Sequence, residues 1–529
     1  MKTSAKGIIL FLVLVFFILS LYSWKAKILF NPDELFYYKS SQTFSELKDL
    51  YAPKYYGEHR FQKPPLFYLS VFLFFKLFGV NWFSARLVTI FSSILVLVMT
   101  YLLGLKMFDR KKAFFGTAVL ATSILFFRFG RIALPEMTFV FFMTAAVYFA
   151  YSAFLENKRK FFYLSFLFMG IGSLVKGPVA FLIPGLTILI FQIINRKKVP
   201  SLSIPWIGGV FIILGLNLLW LIPTFLIYGK SFLHMATFEL GNKLRENIHF
   251  YNIGEQAWHY FQKFSFYIPV IFALYLPWSI LEPIALVIAR KRLEKKLYFT
   301  QRSFLLIWFM TGFLLFTAVS TKRYHYVLSL FPALSLYLIS FFNFEKGYIK
   351  KVFQGLLSMH IAGYLFTVIL IFPLLSIDGV DRLSTKLATV LKTRDAPVAV
   401  SWRLDPQEIE LYINRRVFVM WESHLANWRR GGGPKIGHII PKSKKDAGPF
   451  YLMLAREEYD RFVSKTHPSV KGAAKSPVDY SKLSEDWRWR KTIKFKNFFD
   501  GLLKNPKMVK SHFKDGFQEE VLLLLVWRK

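Results

Sequence analysis

Long apolar stretches separated by short basic loops constrain this chain more than any other feature. Charged residues make up 19% of the sequence and hydrophobic residues 54%. The charged residues are concentrated between the apolar stretches. A hydrocarbon core of ~30 Å requires ~20 apolar residues to cross it as a helix. Stretches at or near that length predict a multi-spanning α-helical membrane protein. They cover residues 8–24, 87–105, 135–154, 204–228, 266–289, 304–319 and 352–375.

The basic loops predict the topology, because short loops rich in Lys and Arg stay in the cytoplasm. Such loops occupy residues 106–112, 156–160, 195–198, 290–296 and 345–351, and Lys2 and Lys6 add a sixth cytoplasmic position. Two membrane crossings fit between each pair of consecutive cytoplasmic positions, and one more crossing follows the last of these positions. This arrangement predicts about eleven helices, with the amino terminus inside and the carboxy terminus outside a cytoplasmic (inner) membrane. The crossings are 8–24, 87–105, 113–128, 135–154, 161–175, 178–194, 204–228, 266–289, 304–319, 326–343 and 352–375.

Two regions are predicted to be extracytoplasmic. The first outer loop, residues 25–86, contains an apolar run at 65–78 that is too short to span, and we expect an interfacial helix there. Residues 376–529 are polar, with strand-like runs at 397–402, 417–421, 449–454 and 521–527 and helix-like runs at 406–413 and 456–464. The sequence therefore predicts a transmembrane domain over 1–375 and a small α/β domain over 376–529.

Charge and cysteine content exclude other classes. The formal net charge is +37, yet much of it lies in the short loops, and the sequence contains no zinc-finger spacing, P-loop or other nucleic-acid module. We therefore expect no nucleic-acid partner. The chain has no cysteine, which excludes disulfides and thiolate metal ligands.

Ionisable residues near the predicted outer ends of the helices indicate a binding cleft. An ionisable side chain at membrane depth costs about 2.5–3.5 kcal/mol, so it usually faces a cavity or a partner. Each single Lys or Arg could be an ordinary interfacial side chain. A one-sided set of acids and bases instead predicts a cleft for an anionic ligand. The set is Asp33, Glu34, Lys63, Arg128, Arg131, Glu136, Lys176, Glu239, Arg245, Lys322, Arg323, His325 and Tyr326.

Glycosyl transfer from a lipid phosphate fits this set. Polyprenyl phosphate gains negative charge as its bond to the sugar breaks, and Lys or Arg side chains stabilise that charge in the transition state. A carboxylate can orient or deprotonate the attacking acceptor.

Six motifs in order resemble those of a known family. The chain is similar to the C-type membrane glycosyltransferases that include dolichyl-phosphate-mannose protein mannosyltransferases and lipid A aminoarabinose transferases. The resemblance covers residues 8–375 and implies a polyprenyl-phosphate-linked sugar as donor. The motifs are Asn31-Pro32-Asp33-Glu34, Lys63-Pro64-Pro65-Leu66-Phe67-Tyr68, Phe78-Gly79 with Ala85-Arg86-Leu87, Arg131 to Glu136 (Glu in place of the family's Asp), Leu174 to Pro178, and Thr321 to Tyr326 with Pro332.

The resemblance also implies roles. Asp33 would be the acid nearest the acceptor, with Glu34 supporting it. The donor phosphate would be bound by Lys63, Arg245, Lys322, Arg323 and Tyr326. The acceptor or sugar side would be lined by Arg131, Glu136, Lys176 and His325. Plainer alternatives exist for five of them. Asp33 could cap a helix, Lys63 could be a snorkelling lysine, and Arg245 could belong to a solvated helical face. Lys176 and Glu136 could each be structural.

No metal site is defined by the sequence. The lipid A branch of the family carries a carboxylate before its Lys-Pro-Pro element, where this chain has Gln62. Glu58 and His59 lie nearby, but two candidate ligands do not make a zinc site. Whether the protein uses a divalent metal stays open, and Gln62 argues against lipid A as the acceptor.

Other functions fit part of the pattern. A transporter or flippase would also have many helices and intramembrane charges, but the two halves show no repeat and the charges cluster outside the midplane. An oligosaccharyltransferase would carry a Trp-Trp-Asp signature, which the tail lacks. A binding module would not explain the buried charges. The acceptor could be a lipid, a glycan or a protein, and the transferred sugar is equally open.

Overall fold

The computed structural model describes residues 2–21, 33–46, 51–55, 58–61, 63–195, 204–244, 264–291, 299–319, 322–367 and 369, together with five strands of the tail. The chain divides into a helical unit, which contains residues 1–26 and 36–368, and a second unit, which contains residues 27–35 and 369–529. The predicted boundary at residue 375 lies outside the described residues.

The described part of each of the eleven predicted crossings overlaps helical structure, and the crossing at 113–128 is divided between two helices. The helices are α1 (Lys2–Ser20), α2 (Asp33–Gln42), α3 (Leu66–Phe78), α4 (Trp82–Met107), α5 (Arg110–Ala121), α6 (Ile124–Phe129), α7 (Glu136–Glu156), α8 (Arg159–Lys176), α9 (Val179–Asn195), α10 (Trp206–Leu244), α11 (Tyr267–Leu274), α12 (Trp278–Lys291), α13 (Phe299–Ala318), α14 (Phe331–Ile339) and α15 (Gly347–Phe366). Short 3₁₀ segments cover Thr43–Glu46 and Tyr324–Leu330.

Among the described residues, four helices are long and apolar enough to cross a membrane: α4, α7, the Trp206–Leu233 part of α10, and α13. A fifth span is possible if α11 and α12, which meet at 111°, count together. The chain is therefore a multi-span membrane protein, and the count of eleven stays a prediction. The Trp206–Leu233 span exposes large apolar side chains such as Phe211, Leu219 and Leu226, as expected for a surface facing lipid.

Local signals set several helix ends. The side chain of Asn81 accepts a hydrogen bond from the Ser84 amide at the start of α4, and Asp109 accepts from the Lys111 and Lys112 amides at the start of α5. These are N-caps, which bind amides that lack a partner within the helix. α8 ends at Gly177, whose φ of 83° is one that glycine adopts readily.

The predicted interfacial run at 65–78 forms α3, which packs against α4 and has buried Phe67, Tyr68, Val71 and Phe75 side chains. In the first outer loop, β1 (Lys54–Tyr55) and β2 (Glu58–His59) form an antiparallel pair. Trp220 of α10 donates through Nε1 to the Tyr51 carbonyl at 2.9 Å. These contacts attach the described part of the loop to the helical unit.

The second unit contains a five-stranded sheet. Its strands are β3 (Val398–Ser401), β4 (Val417–Met420), β5 (Phe450–Ala455), β6 (Arg488–Thr492) and β7 (Gln518–Val526). Their order is β4-β3-β5-β7-β6, with β3 parallel to β4 and β5, and β7 antiparallel to β5 and β6. All four strand-like runs form strands, whereas β6 lies in a basic segment that carried no strand signal. The helices predicted at 406–413 and 456–464 fall outside the described residues, so the α/β class of this unit and its extracytoplasmic location stay predictions.

Candidate active site

A cavity of about 260 Å³ in the helical unit brings together residues from four of the six motifs. Its volume lies just below the range of about 300–1,000 Å³ that is typical of ligand pockets. The polar part of its lining combines two lysines with one carboxylate, one imidazole, one phenol and one serine hydroxyl. The polar and ionisable lining residues are Lys63, Glu136, Lys176, His325, Tyr326 and Ser329. The apolar part is formed by Phe139, Val140, Pro178, Val179, Leu182, Leu315, Phe316 and Val319.

Helix ends position the charged members of this lining. Glu136 is the first residue of α7 and Lys176 the last residue of α8, and these two helices pack against each other. A carboxylate at a helix N-terminus and an ammonium at a C-terminus both interact favourably with the helix dipole. His325 and Tyr326 lie in the 3₁₀ segment Tyr324–Leu330.

Glu136 forms the centre of a buried cluster. Its Oε1 lies 3.0 Å from Lys176 Nζ and 3.3 Å from His325 Nε2, and the three side chains are only 9%, 10% and 12% exposed. Its Oε2 is buried and has no hydrogen-bond partner among the described residues. A buried carboxylate oxygen without a donor is costly, so this oxygen is an acceptor that a ligand donor could satisfy.

Aromatic rings surround the ammonium and the imidazole. Lys176 Nζ lies 5.3 Å from the Phe139 ring centroid and 5.4 Å from that of Tyr326. The His325 ring lies 5.2 Å from those of Phe129 and Tyr326. Contacts of a cation with aromatic faces stabilise it where water is excluded, and the packed rings restrict the rotamers of Lys176 and His325.

Lys322, predicted to bind the donor phosphate, caps a helix. Its ammonium donates to the carbonyls of Phe316 (3.1 Å), Val319 (2.7 Å) and Thr317 at the C-terminal end of α13. These carbonyls lack amide partners within the helix, and a lysine is a common partner for them. Lys322 does not line the cavity, and Arg323 is exposed. Of the predicted phosphate-binding set, Lys63 and Tyr326 line the cavity.

Arg131 lies in the helical core. It is 1% exposed, and its Nη2 donates to the Leu21 carbonyl at 2.7 Å. Its guanidinium also lies 5.5 Å from the Phe127 ring. Arg131 therefore holds the C-terminal end of α1, and it is not among the residues that line the cavity.

Asp33 and Glu34 form the first turn of α2, where backbone amides favour carboxylates. Glu34 is fully buried. Further along α2, Tyr38 stacks on Trp82 with ring centroids 4.2 Å apart, and Tyr37 packs against Tyr68 at 5.0 Å. Arg245 lies outside the described residues.

Within the described part of the chain, no three His, Asp or Glu side chains come close enough to hold a metal ion. The His59 ring packs against Tyr228 at 4.5 Å and Phe61 at 5.9 Å. Gln62 is outside the described residues, so metal dependence stays open.

Sequence reasoning missed Glu282 and assigned no role to Arg86. Arg86 is fully buried on α4, and its guanidinium lies 5.2 Å from the Trp82 ring. Glu282 is half-buried on α12, and its Oε1 has no hydrogen-bond partner among the described residues. The signal available in both cases was a single charge inside an apolar run.

Comparison with known proteins supports the family resemblance. Residues 62–222 match the profile of the dolichyl-phosphate-mannose-protein mannosyltransferase family. An uncharacterized protein of Aquifex aeolicus is 29% identical over 63% of this chain and 63% of its own length. An undecaprenyl phosphate-alpha-4-amino-4-deoxy-L-arabinose arabinosyl transferase of Serratia proteamaculans is 24% identical over 64% of this chain and 60% of its own length. The chain thus spans less than two thirds of the length of both relatives.

The fold agrees with these matches. The crystal structure of ArnT from Cupriavidus metallidurans superimposes with a TM-score of 0.64 at 15% identity and covers 98% of both chains. The profile match over residues 62–222, the relatives and the shared fold all agree with the resemblance to the C-type membrane glycosyltransferases, which include the protein mannosyltransferases and the aminoarabinose transferases.

Proposed function

We propose that this protein transfers a sugar from a polyprenyl phosphate of the undecaprenyl type to a lipid, glycan or protein acceptor. The reaction takes place at the outer face of the cytoplasmic membrane. The observation that carries the proposal is the cavity in which Lys63, Glu136, Lys176, His325 and Tyr326 meet. A pocket that combines lysines and a phenol with apolar walls suits a ligand with a phosphate and an isoprenoid chain.

The proposed step is the transfer of a glycosyl group from the phosphate oxygen of the donor to the acceptor oxygen. The bond between the anomeric carbon of the sugar and the phosphate oxygen breaks, and its electron pair leaves with the polyprenyl phosphate, which becomes a dianion. The acceptor oxygen forms the new bond to the anomeric carbon, and its proton passes to a carboxylate. We assign that carboxylate to Asp33, with Glu34 supporting it.

Lys63 and Tyr326 are the donor-phosphate residues that line the cavity. An ammonium and a phenolic hydroxyl both donate to phosphate oxygens and stabilise the charge that develops on them. Arg245, Arg323 and Lys322 remain in the proposed phosphate set from the family resemblance, but the capping bonds of Lys322 make it the weakest member. Glu136, Lys176 and His325 form the sugar side.

Two comparisons support the donor class. The Serratia proteamaculans relative is named for an undecaprenyl phosphate donor. The Cupriavidus metallidurans ArnT has also been crystallised bound to undecaprenyl phosphate.

The test is turnover with defined donors. Purified protein in lipid nanodiscs is incubated with a panel of undecaprenyl-phosphate sugars and membrane extracts, and the product is identified by mass spectrometry. We expect donor consumption and a glycosylated product with at least one sugar. Donor moved across the bilayer with no glycosylated product would instead indicate a flippase.

The Asp33→Asn variant distinguishes a role of the Asp33 carboxylate in catalysis from a role in folding. We expect transfer to fall by about 10²-fold or more, the usual contribution of a positioned general base, while expression and the thermal unfolding midpoint stay at the wild-type level. The matched control is Asp109→Asn, an acid-to-amide change at the N-terminus of α5. Wild-type turnover by Asp33→Asn would refute the assignment of Asp33.

A further inference from the structure

The basic loops at the starts of α5 and α15 come together in the fold. Both carboxylate oxygens of Glu345 lie 2.9 Å from Lys111 Nζ, although the two residues are 234 positions apart in sequence. The Phe115 ring stacks on the Phe344 ring, with centroids 4.5 Å apart and an interplanar angle of 8°. These contacts join the first turns of α5 to the chain that leads into α15.

Four more cations lie at the same two helix starts, and all of them are exposed. None of the four forms an ion pair within the described part of the chain, so their charges are accessible to a partner. The acids at these starts are Asp109, whose side chain caps α5, and Glu345, which pairs with Lys111. Cations therefore outnumber acids there. The four cations are Arg110, the first residue of α5, and Lys346, Lys350 and Lys351, which precede or begin α15.

An apolar stripe on α15 begins beside these cations. Its side chains are all more than half exposed, and they recur at spacings of four, seven and seven residues, which places them on one face of the helix. Exposed apolar surface of this extent marks a contact with a partner or with lipid. The stripe consists of Tyr348, Val352, Met359 and Phe366.

This combination matches the two ends of an anionic phospholipid. Ammonium and guanidinium groups donate charge-assisted hydrogen bonds to phosphate oxygens, and the apolar stripe can lie against acyl chains. Each Lys or Arg near a membrane surface strengthens the binding of anionic lipid by about fivefold. A zwitterionic headgroup has no net charge and gains little from these cations.

We propose that Arg110, Lys346, Lys350 and Lys351, together with the apolar stripe of α15, form a binding site for an anionic glycerophospholipid such as phosphatidylglycerol. None of these residues lines the cavity. The inference is therefore independent of the proposed function, and failure of one leaves the other unaffected.

Quenching by brominated lipids tests the site. The chain has no cysteine, so Val352→Cys places a single fluorophore label on the stripe. The labelled full chain is placed in nanodiscs of phosphatidylcholine with about one-tenth phosphatidylglycerol, and one lipid at a time carries bromine on its acyl chains. We expect brominated phosphatidylglycerol to quench at least about threefold more than its share of the lipid predicts, given the contribution of each cation. Quenching in proportion to its share would overturn the proposal.

Charge removal assigns the enrichment to these cations. The triple variant Lys346→Gln, Lys350→Gln and Lys351→Gln should reduce the quenching to the bulk share, and its thermal midpoint should match that of the wild type because all three side chains are exposed. If this variant does not fold, the label on the otherwise unchanged chain is measured in about 1 M salt, where the Debye length falls to about 3 Å. Enrichment that persists in the folded triple variant or in high salt would contradict the proposal.

A charge-matched control distinguishes a site from the general attraction of a basic protein. It replaces three exposed cations of another basic loop and should keep the enrichment at α15, whereas an equal loss in both triple variants would overturn the site. A second arm adds undecaprenyl phosphate at the same share as phosphatidylglycerol. Selective displacement of phosphatidylglycerol by it would assign the surface to polyprenyl phosphate and overturn the phospholipid proposal. The control substitutions are Lys158→Gln, Arg159→Gln and Lys160→Gln.

Discussion

At the scale of residues, the cavity depends on one ion pair between helix ends. Glu136 and Lys176 are 40 positions apart in sequence, yet their side chains meet at 3.0 Å and are about 90% buried. Removing one partner of a buried pair leaves the other charge without compensation, which costs more than the pair itself contributes. The pair is therefore a structural requirement of the cavity.

Lys176→Met should lower the free energy of unfolding by about 3–5 kcal/mol, because Glu136 would keep a buried charge with no ammonium beside it. Thermal unfolding of the purified protein in detergent measures the loss. The double variant Lys176→Met with Glu136→Gln removes both charges and should recover most of the stability without recovering transfer. A single variant as stable as wild type would contradict the buried ion pair.

Lys322→Met tests the capping role of Lys322. Its ammonium bonds to carbonyls at the end of α13, so we expect a loss of about 1–3 kcal/mol in unfolding free energy. Arg323→Met, the adjacent exposed cation, is the control and should leave the thermal midpoint unchanged. If Lys322→Met instead lowers undecaprenyl phosphate affinity at wild-type stability, Lys322 is a phosphate ligand and the cap is unimportant.

At the scale of elements, small residues allow the helices to approach closely. α8 and α10 pack where Gly209 faces Phe166, and a Cβ at Gly209 would lie 2.4–2.5 Å from three atoms of that ring. Phe166 is 2% exposed, so its ring cannot move aside without disturbing its neighbours. In membranes such close approach through small residues is a principal source of helix association.

Gly209→Ala should therefore destabilise the protein by about 1–3 kcal/mol through overpacking. Gly215→Ala on the same helix is the matched control, since a Cβ there meets nothing within 4 Å, and it should be neutral or stabilising by up to about 1 kcal/mol. The thermal unfolding midpoints of the two variants are compared with that of the wild type. Equal midpoints for the two variants would show that α8 and α10 do not pack as described.

At the scale of the whole molecule, the orientation in the membrane is the main prediction to check. The chain has no cysteine, so single cysteines can be introduced without a mutated background. Lys158, whose side chain is 54% exposed, lies in a predicted cytoplasmic loop, and exposed Arg323 lies on the predicted outer side.

Arg323→Cys should react with a membrane-impermeant maleimide in intact spheroplasts, and Lys158→Cys should react only after the membrane is permeabilised. The physical reason is the retention of Lys- and Arg-rich loops on the cytoplasmic side. Labelling is quantified by the mass shift of the purified protein. The reverse pattern would invert the topology and place the cavity residues on the cytoplasmic side.

The helices and the membrane class could be predicted because both depend on local hydrophobicity. A run such as residues 135–154 must form a helix at membrane depth, since every backbone group there needs an internal partner, and the structure has α7 at Glu136–Glu156. Strand β6, Arg488–Thr492, could not be predicted, because its basic sequence has no strand pattern and its place in the sheet comes from pairing with β7.

The sequence alone determined which apolar segments form helices, which family motifs occur and which ionisable residues lie at helix ends. Only the tertiary structure decided which of those residues form the cavity. Lys176 and Lys322 both lie at or just beyond the C-terminal end of a helix, yet Lys322 turns back onto the carbonyls of α13, whereas Lys176 reaches Glu136 on the neighbouring α7. Side-chain direction depends on which helix packs alongside, and sequence spacing does not contain that information.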